Sequence, residues 1–146
     1  MNNIKVMHAN KIHKEFIIYA NKVINNVNET VQTTGLELNI DKDYFCDKPK
    51  FKCLVAEIDN KPVGMILYSY FYWASDGEVL WISQMFVEEE YRKKGVFFKL
   101  IEKMKEENKD IKIVSCATGD KNKKMQKILK YYGGNEINLK FYYKKV

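Results

Sequence analysis

Proline, histidine and cysteine are scarce in this chain of 146 residues, which holds two, two and three of them. With so few prolines, and with no repeat, low-complexity tract or linker in the chain, a collagen-like or disordered protein is excluded. Cys46, Cys53 and Cys116 are an odd number without close spacing, which argues against a disulfide framework and a zinc knuckle. They read as reduced thiols, mostly buried. His8 and His13 have no cysteine or carboxylate at ligand spacing, so no metal site is expected. No apolar run approaches the ~20 residues that span a bilayer. The first residues, MNNIKVMHANK, lack a basic stretch followed by an apolar core, so no secretory signal and no membrane partner are expected. The expected location is the cytoplasm.

Hydrophobic residues make up 46 % of the chain and charged ones 30 %, a globular composition. One domain over residues 1–146 is expected, long enough to bury about two thirds of its unfolded surface. The net charge of +6 would suit an anionic cofactor or a nucleic acid. The lysines are spread through the chain, however, and charge alone does not choose a partner.

Period and punctuation give the elements. Residues 3–8 suit a first strand. From Asn10 to Asn26, Ile12, Phe16, Ile17, Ala20, Val23 and Ile24 recur at helical spacing. The segment 28–35, NETVQTTG, is a polar connection expected to be mobile, and Leu36–Cys46 suits a short second helix ended ahead of Pro49. The period then falls to two. Phe51–Ile58, Pro62–Trp73 and Glu78–Val87 form a meander of three strands, turning at Asp59-Asn60 and at Asp76-Gly77. A helix follows Gly95, and Ile111–Ala117 reads as a strand buried on both faces. Lys123–Tyr132 is a helix with Met125, Ile128, Leu129 and Tyr132 inward, stopped by Gly133 and Gly134. Glu136–Val146 alternates as a last strand. The expected class is α/β in the α+β sense: a central mixed, mostly antiparallel sheet with helices on both faces.

The stretch Trp81–Leu100, WISQMFVEEEYRKKGVFFKL, changes from an apolar strand to a charged turn and then to a helix. Gly95 sits where the helix begins. Backbone N–H groups there have no intrahelical partner, and the macrodipole adds roughly half a positive charge, so an anion such as a pyrophosphate is a natural ligand.

With a buried strand and an Asn122-led helix following this turn, the chain resembles the GNAT superfamily of acetyl-CoA-dependent acetyltransferases over nearly its whole length. That superfamily's signature Gln/Arg-x-x-Gly-x-Gly/Ala is matched by Arg92-Lys93-Lys94-Gly95-Val96-Phe97, with Phe97 standing at the usual Gly or Ala. The segment Asp43-Tyr44-Phe45, Pro49 and Cys53-Leu54-Val55-Ala56-Glu57 is similar to the diamine (spermidine/spermine and thialysine) acetyltransferase group. Gly64, the aromatic run Tyr68–Trp73, Met85-Phe86-Val87 and Tyr91-Arg92 extend the likeness. The resemblance implies the GNAT fold, acetyl-CoA as cofactor, a homodimer, and direct attack of a small primary amine on the thioester in a ternary complex. It also implies that Phe86 and Val87 pair with the pantetheine arm, that Arg92, Lys93, Lys94, Gly95, Val96, Phe97 and Phe98 hold the pyrophosphate, and that Asn122 and Met125 line the other side.

The catalytic places differ from that pattern. The usual acid, a Tyr seven residues after the Asn, falls on Leu129, with Tyr131 and Tyr132 further along the helix. The diamine group's carboxylate falls on Ser83, beside Gln84. Ser83, Gln84 and Tyr131 are therefore the candidates for proton handling, with Glu78 a further member of any water relay. Cys116 is a candidate nucleophile or, more simply, a small hydrophobe. Tyr68, Tyr70, Tyr72 and Trp73 line an amine pocket by cation–π contact or pack under helices. Two other functions stay open: acetylation of a protein or aminoacyl-tRNA amine, and acyl-CoA binding without turnover.

Overall fold

The protein is described by a computed structural model covering residues 3–27, 35–137, 142 and 144. Strands β1 (Lys5–His8), β2 (Lys52–Ile58), β3 (Lys61–Trp73), β4 (Gly77–Val87) and β5 (Ile113–Cys116) form one sheet in the order β1-β2-β3-β4-β5. The first four are antiparallel neighbours, while β5 pairs parallel to β4, from Val79 opposite Ile113 to Ile82 opposite Cys116. The parallel step needs a crossover, which α3 (Val96–Glu107) provides.

Strand alternation divides the side chains between two layers. On one face Leu54, Val63, Ile66, Tyr68 and Leu80 pack against Val96, Leu100 and Met104 of α3. On the other, Cys53, Val55, Met65 and Phe86 pack against Ile17 and Ala20 of α1 (Lys14–Val27) and Ile40 of α2 (Leu36–Asp43). The expected mixed, mostly antiparallel sheet with helices on both faces is what forms.

The expected first helix begins as a 3-10 turn, Lys11–His13, that leads into α1. Asn10 caps it by accepting from the Ile12 N–H, and its own N–H donates to Nδ1 of His13 at 3.0 Å. With Nδ1 accepting, the proton of the ring sits on Nε2, which lies 2.9 Å from the Glu57 carboxylate in the interior. The pair ties the start of α1 to the central strand β2, and neither residue is exposed.

Three expectations need correction. The helix expected over Leu36–Cys46 ends at Asp43, because Tyr44 turns inward to stack on Phe51 and donate to the Ala9 carbonyl at 2.8 Å. The strand expected over Ile111–Ala117 is only Ile113–Cys116, and it is not buried on both faces, Val114 being 45 % exposed. Among the described residues it is an edge strand. The doubly covered strand is β2, buried from Cys53 to Ile58. Finally, α4 (Lys123–Tyr131) has no buried residue, and Ile128 and Tyr132 are part-exposed instead of inward. The last expected strand and the 28–34 connection fall almost wholly outside the described residues; Glu136 and Ile137 are not strand.

Gly64 sets how closely α3 approaches the sheet. A Cβ there would lie 2.8 Å from Cγ1 of Val96, the first residue of α3, and 3.1 Å from the Phe86 carbonyl oxygen. Val is stiff at χ1 and the carbonyl belongs to β4, so neither gives way easily. Gly64→Ala is expected to cost ~1–3 kcal/mol by overpacking. In a thermal melt that is a drop of about 3–10 °C; an unchanged midpoint would show that α3 is free to move out.

Candidate active site

The pairing of β4 is unequal on its two edges. Toward β3 it is continuous from Gly77 to Val87, apart from a bulge where Leu67 faces Gln84 and Tyr68 faces Ile82, leaving Ser83 over. Toward β5 it stops at Ile82 opposite Cys116. Beyond that point, among the described residues, no strand pairs with the outer edge of Ser83–Val87. A bulge bends its strand and increases the local twist, which explains why the two strands part there. The open edge is a template on which an extended, amide-bearing ligand can add like a strand.

The open edge runs into the basic turn. After Val87 the chain makes a 3-10 turn, Glu89–Tyr91, and Arg92 folds back so that its Nε donates to the Val87 carbonyl at 3.0 Å. Lys93 and Gly95 both have positive φ, +61° and +87°. Gly95 accepts the first helical bond, from Lys99, but provides no side chain to cap the N-terminus of α3. The N–H groups of Val96, Phe97 and Phe98 are thus left with neither an intrahelical nor a capping partner, a concavity suited to an anion. The ring of Phe97 leans on the α3 core and on Tyr132, 5.4 Å away, so the bulk at this usually small position is carried to one side.

Side chains around the parting strands fall into two groups. The register Met65–Phe86, Leu67–Gln84 and Ser69–Trp81 puts Phe86, Gln84 and Trp81 on the α1/α2 face. There Phe71 contacts both Trp73 (5.3 Å) and Trp81 (5.9 Å), and Tyr19 of α1 lies edge-on to Phe86 at 5.8 Å. Among the described residues, Oε1 of Gln84 is buried with no hydrogen-bond partner, and so is Oγ1 of Thr118, two residues past the end of β5. Such atoms are costly to leave unpaired, and these two flank the same opening. Ser83 is exposed. Of the aromatic run, Tyr68 is in the core, Tyr70 is bound through its hydroxyl to Asn108, and Tyr72 is 73 % exposed. Those three belong to the α3 face, whereas Phe71, Trp73 and Trp81 cluster on the face of the sheet that carries Gln84. Sequence reasoning missed Phe71, Trp81 and Thr118. Strand alternation put some of Tyr68, Tyr70, Tyr72 and Trp73 on one side, but nothing in it said which face the opening adjoins.

The remaining candidates are dispersed. Glu78 stands on the α3 face beside Tyr70 and Asn108, about 16 Å along β4 from Ser83. Asn122 is the N-cap of α4, accepting from Met125 N–H at 3.3 Å. Gln126 fastens the preceding loop through the Gly119 and Asp120 carbonyls, both at 3.0 Å. Leu129 is half-buried, while Tyr131 is 80 % exposed and packs edge-on against Tyr132.

An antiparallel meander, a split between β4 and β5, and an uncapped helix N-terminus behind a basic turn together offer an open strand edge that leads to a helix start suited to an anion. The profile of the acetyltransferase (GNAT) family matches residues 22–133, and the chain belongs to that family. Thialysine N-epsilon-acetyltransferase of Mus musculus is 32 % identical over 105 residues, which are 65 % of this chain and 62 % of the relative. The Sus scrofa protein of that name matches to the same extent. The chain thus spans less than two thirds of the length of the curated relatives it matches. Among solved structures, a possible acetyltransferase from Clostridium difficile 630 superposes with a TM-score of 0.77 at 21 % identity, covering 98 % of this chain and 97 % of that one. An aminoglycoside N-acetyltransferase in complex with CoA gives 0.77 at 19 % identity, covering 99 % and 96 %. At these identities the two structures show a shared fold.

Cys116 lies at the last paired position of β5, packed against the α3 core, and burial pushes its thiol pKa up. It stays protonated at neutral pH and is a poor nucleophile there. Cys46 is exposed. Iodoacetamide at pH 7 is expected to modify Cys46 first and Cys116 roughly tenfold or more slowly. Mass-spectrometric timing that puts Cys116 level with Cys46 would reveal a thiolate and restore the nucleophile reading.

Proposed function

We propose that this protein is an acetyl-CoA-dependent N-acetyltransferase that acts on a primary amine, by preference a small diamine, a polyamine or a lysine-like acceptor. The observation that carries the reading is the continuity of the open β4 edge with the uncapped start of α3. One accepts amides and the other a pyrophosphate, in the order in which coenzyme A presents them. Backbone groups of Phe86 and Val87 would take the pantetheine arm. The turn and first helical residues, Arg92 to Phe98, would take the pyrophosphate, Arg92 by holding the turn closed. Asn122 and Met125, at the start of α4, would form the opposite wall. The bound co-substrate supplies an activated acyl group as a thioester, which the amine attacks directly.

The chain's own part is to position, desolvate and accept hydrogen bonds. Gln84 Oε1, buried and unpartnered, is suited to receive an N–H of the acceptor, with Phe71 and Trp81 against its alkyl portion. Ser83 sits at the bulge with access to water and would pass the amine's proton to solvent. No carboxylate occurs on β4 between Val79 and Val87. Tyr131 is too exposed, and too tied to Tyr132, for us to give it a share in proton transfer. A thiol leaves as its anion with a pKa near 8.5, so solvent can protonate it.

Calorimetry tests the cofactor half. Wild type is expected to bind acetyl-CoA, and Gly95→Asp, which sets a carboxylate at the anion site, to weaken binding by about tenfold or more. Equal binding, or none by the wild type, would sink the reading. An acetylation screen over polyamines, thialysine-like amines, aminoglycosides and peptides tests the acceptor half. Spermidine turned over no faster than acetyl-CoA hydrolyses removes the preferred acceptor, and binding without turnover of any amine selects the acyl-CoA-binding alternative that Leu129 motivates. A cytoplasmic homodimer remains part of the proposal; sedimentation as a monomer at all concentrations removes the dimer.

The absence of a carboxylate on β4 between Val79 and Val87 predicts a pH profile. Only the amine itself, with a pKa near 10.4 if lysine-like, has to lose a proton. kcat/KM is expected to climb about tenfold per pH unit between roughly pH 7 and 9 without a descending limb. A bell or a plateau below pH 8 would betray an enzymic acid or base that this account lacks.

A further inference from the structure

Four aromatic rings crowd together where α3 begins and α4 ends. Phe97 and Phe98 are the second and third residues of α3, Tyr131 is the last of α4 and Tyr132 is its C-cap. Tyr132 lies 5.4 Å from Phe97 and 5.6 Å from Phe98, and Tyr131 stands at 89° to it, 5.8 Å away. Phe97 leans inward, but Phe98 is 56 %, Tyr132 39 % and Tyr131 80 % exposed. Scattered single apolar residues on a surface need no explanation, whereas adjacent bare rings mark a binding face.

The position of the cluster says what would cover it. The rings of Phe97 and Phe98 belong to the residues whose N–H groups are left open for the pyrophosphate, so the aromatic face adjoins the anion site. In coenzyme A the adenine is joined to that pyrophosphate through a single ribose, so the base has to rest close by. The charge agrees: α4 carries Lys123, Lys124, Lys127 and Lys130 and no acidic residue, and Lys127 is one helical turn before Tyr131 on the same face. We infer that the adenine base of coenzyme A stacks on the Phe98, Tyr131 and Tyr132 rings, with the ribose 3′-phosphate turned toward Lys127. The inference rests on the acetyl-CoA reading above and assigns Tyr131 to holding the nucleotide.

Calorimetry with two ligands separates this contact from the rest of the site. CoA carries the base, and 4′-phosphopantetheine keeps the arm and one phosphate without it. Base–aromatic stacking lost to alanine is worth about five- to hundred-fold in affinity. The Phe98→Ala, Tyr131→Ala double variant is expected to weaken CoA at least about tenfold and to move 4′-phosphopantetheine less than about twofold. Tyr131→Phe, which keeps the ring, is expected to retain CoA affinity. Etheno-CoA fluorescence is expected to be quenched by wild type and to recover in the double variant. CoA affinity unchanged in that variant overturns the stacking, and if self-association is lost instead, the rings cover a second copy of the chain. Equal weakening of both ligands overturns it as well, since the damage is then to the phosphate turn. A wild type that binds no CoA overturns the cofactor reading along with this one, and so is told apart from failure of the stack alone.

Discussion

Strand β4 has a partner along all of one edge and along only part of the other, and the rest of the site depends on that inequality. The bulge at Ser83 adds a residue that β3 cannot match, and β5 ends its pairing one residue earlier. Exposed ladder groups on a strand are ordinarily a liability. Here they lead directly into a helix start that also has unmet donors. Gly64 and Arg92 hold these two features in line. The first lets Val96 sit against the sheet, and the second fastens the turn to the Val87 carbonyl. Neither touches a ligand in this account, yet each fixes the distance between the strand edge and the anion-binding amides.

Local patterns carried most of the fold. The three-strand meander was legible because Phe51–Val87 alternates between turns of unambiguous chemistry, Asp59 and Asn60 with positive φ and Gly77 likewise. Strand β5 was misread for a physical reason: a short apolar run looks the same whether helices cover it or whether it lies at an edge. The buried pair His13–Glu57 was illegible for another, since it joins residues 44 apart and neither has a local pattern. Helix α4 shows a helical apolar stripe, but a stripe does not say that the opposing surface will be small.

The site divides in the same way. The start of α3 at Gly95 was legible because a turn with positive φ leading into a helix needs a definite local geometry, which glycine marks. What remained hidden was made by convergence. Gln84 lies on β4 and Thr118 just past the end of β5, where the two strands part, and their unpaired oxygens become visible only when everything around them is in place. The aromatic run misled in a useful way. Alternation correctly grouped Tyr68, Tyr70 and Tyr72, but α3 covers that side, which leaves Phe71, Trp73 and Trp81 facing the opening's side of the sheet.

These placements bear on how a basic protein without a carboxylate on β4 between Val79 and Val87 could handle a cationic acceptor. Glu37 and Asp41 of α2 are engaged with Lys14, and Glu107 at the far end of α3 is held by His8 and Lys103. They form no trap for a polycation. Under the proposed reading, an amine arriving on the Trp81 and Gln84 face would meet aromatic faces and one amide oxygen instead. Aromatic faces attract a cation, but desolvation there favours its neutral form and lowers the amine's pKa. Deprotonation can thus be driven by removal of water, with Ser83 and solvent receiving the proton, and the lysines of α4 add repulsion that favours the uncharged amine further. The same positive field that discourages the ammonium ion attracts the phosphates of the co-substrate. Under the proposed reading one charge distribution would serve both ligands, which ties the lack of a carboxylate between Val79 and Val87 to the excess of lysine.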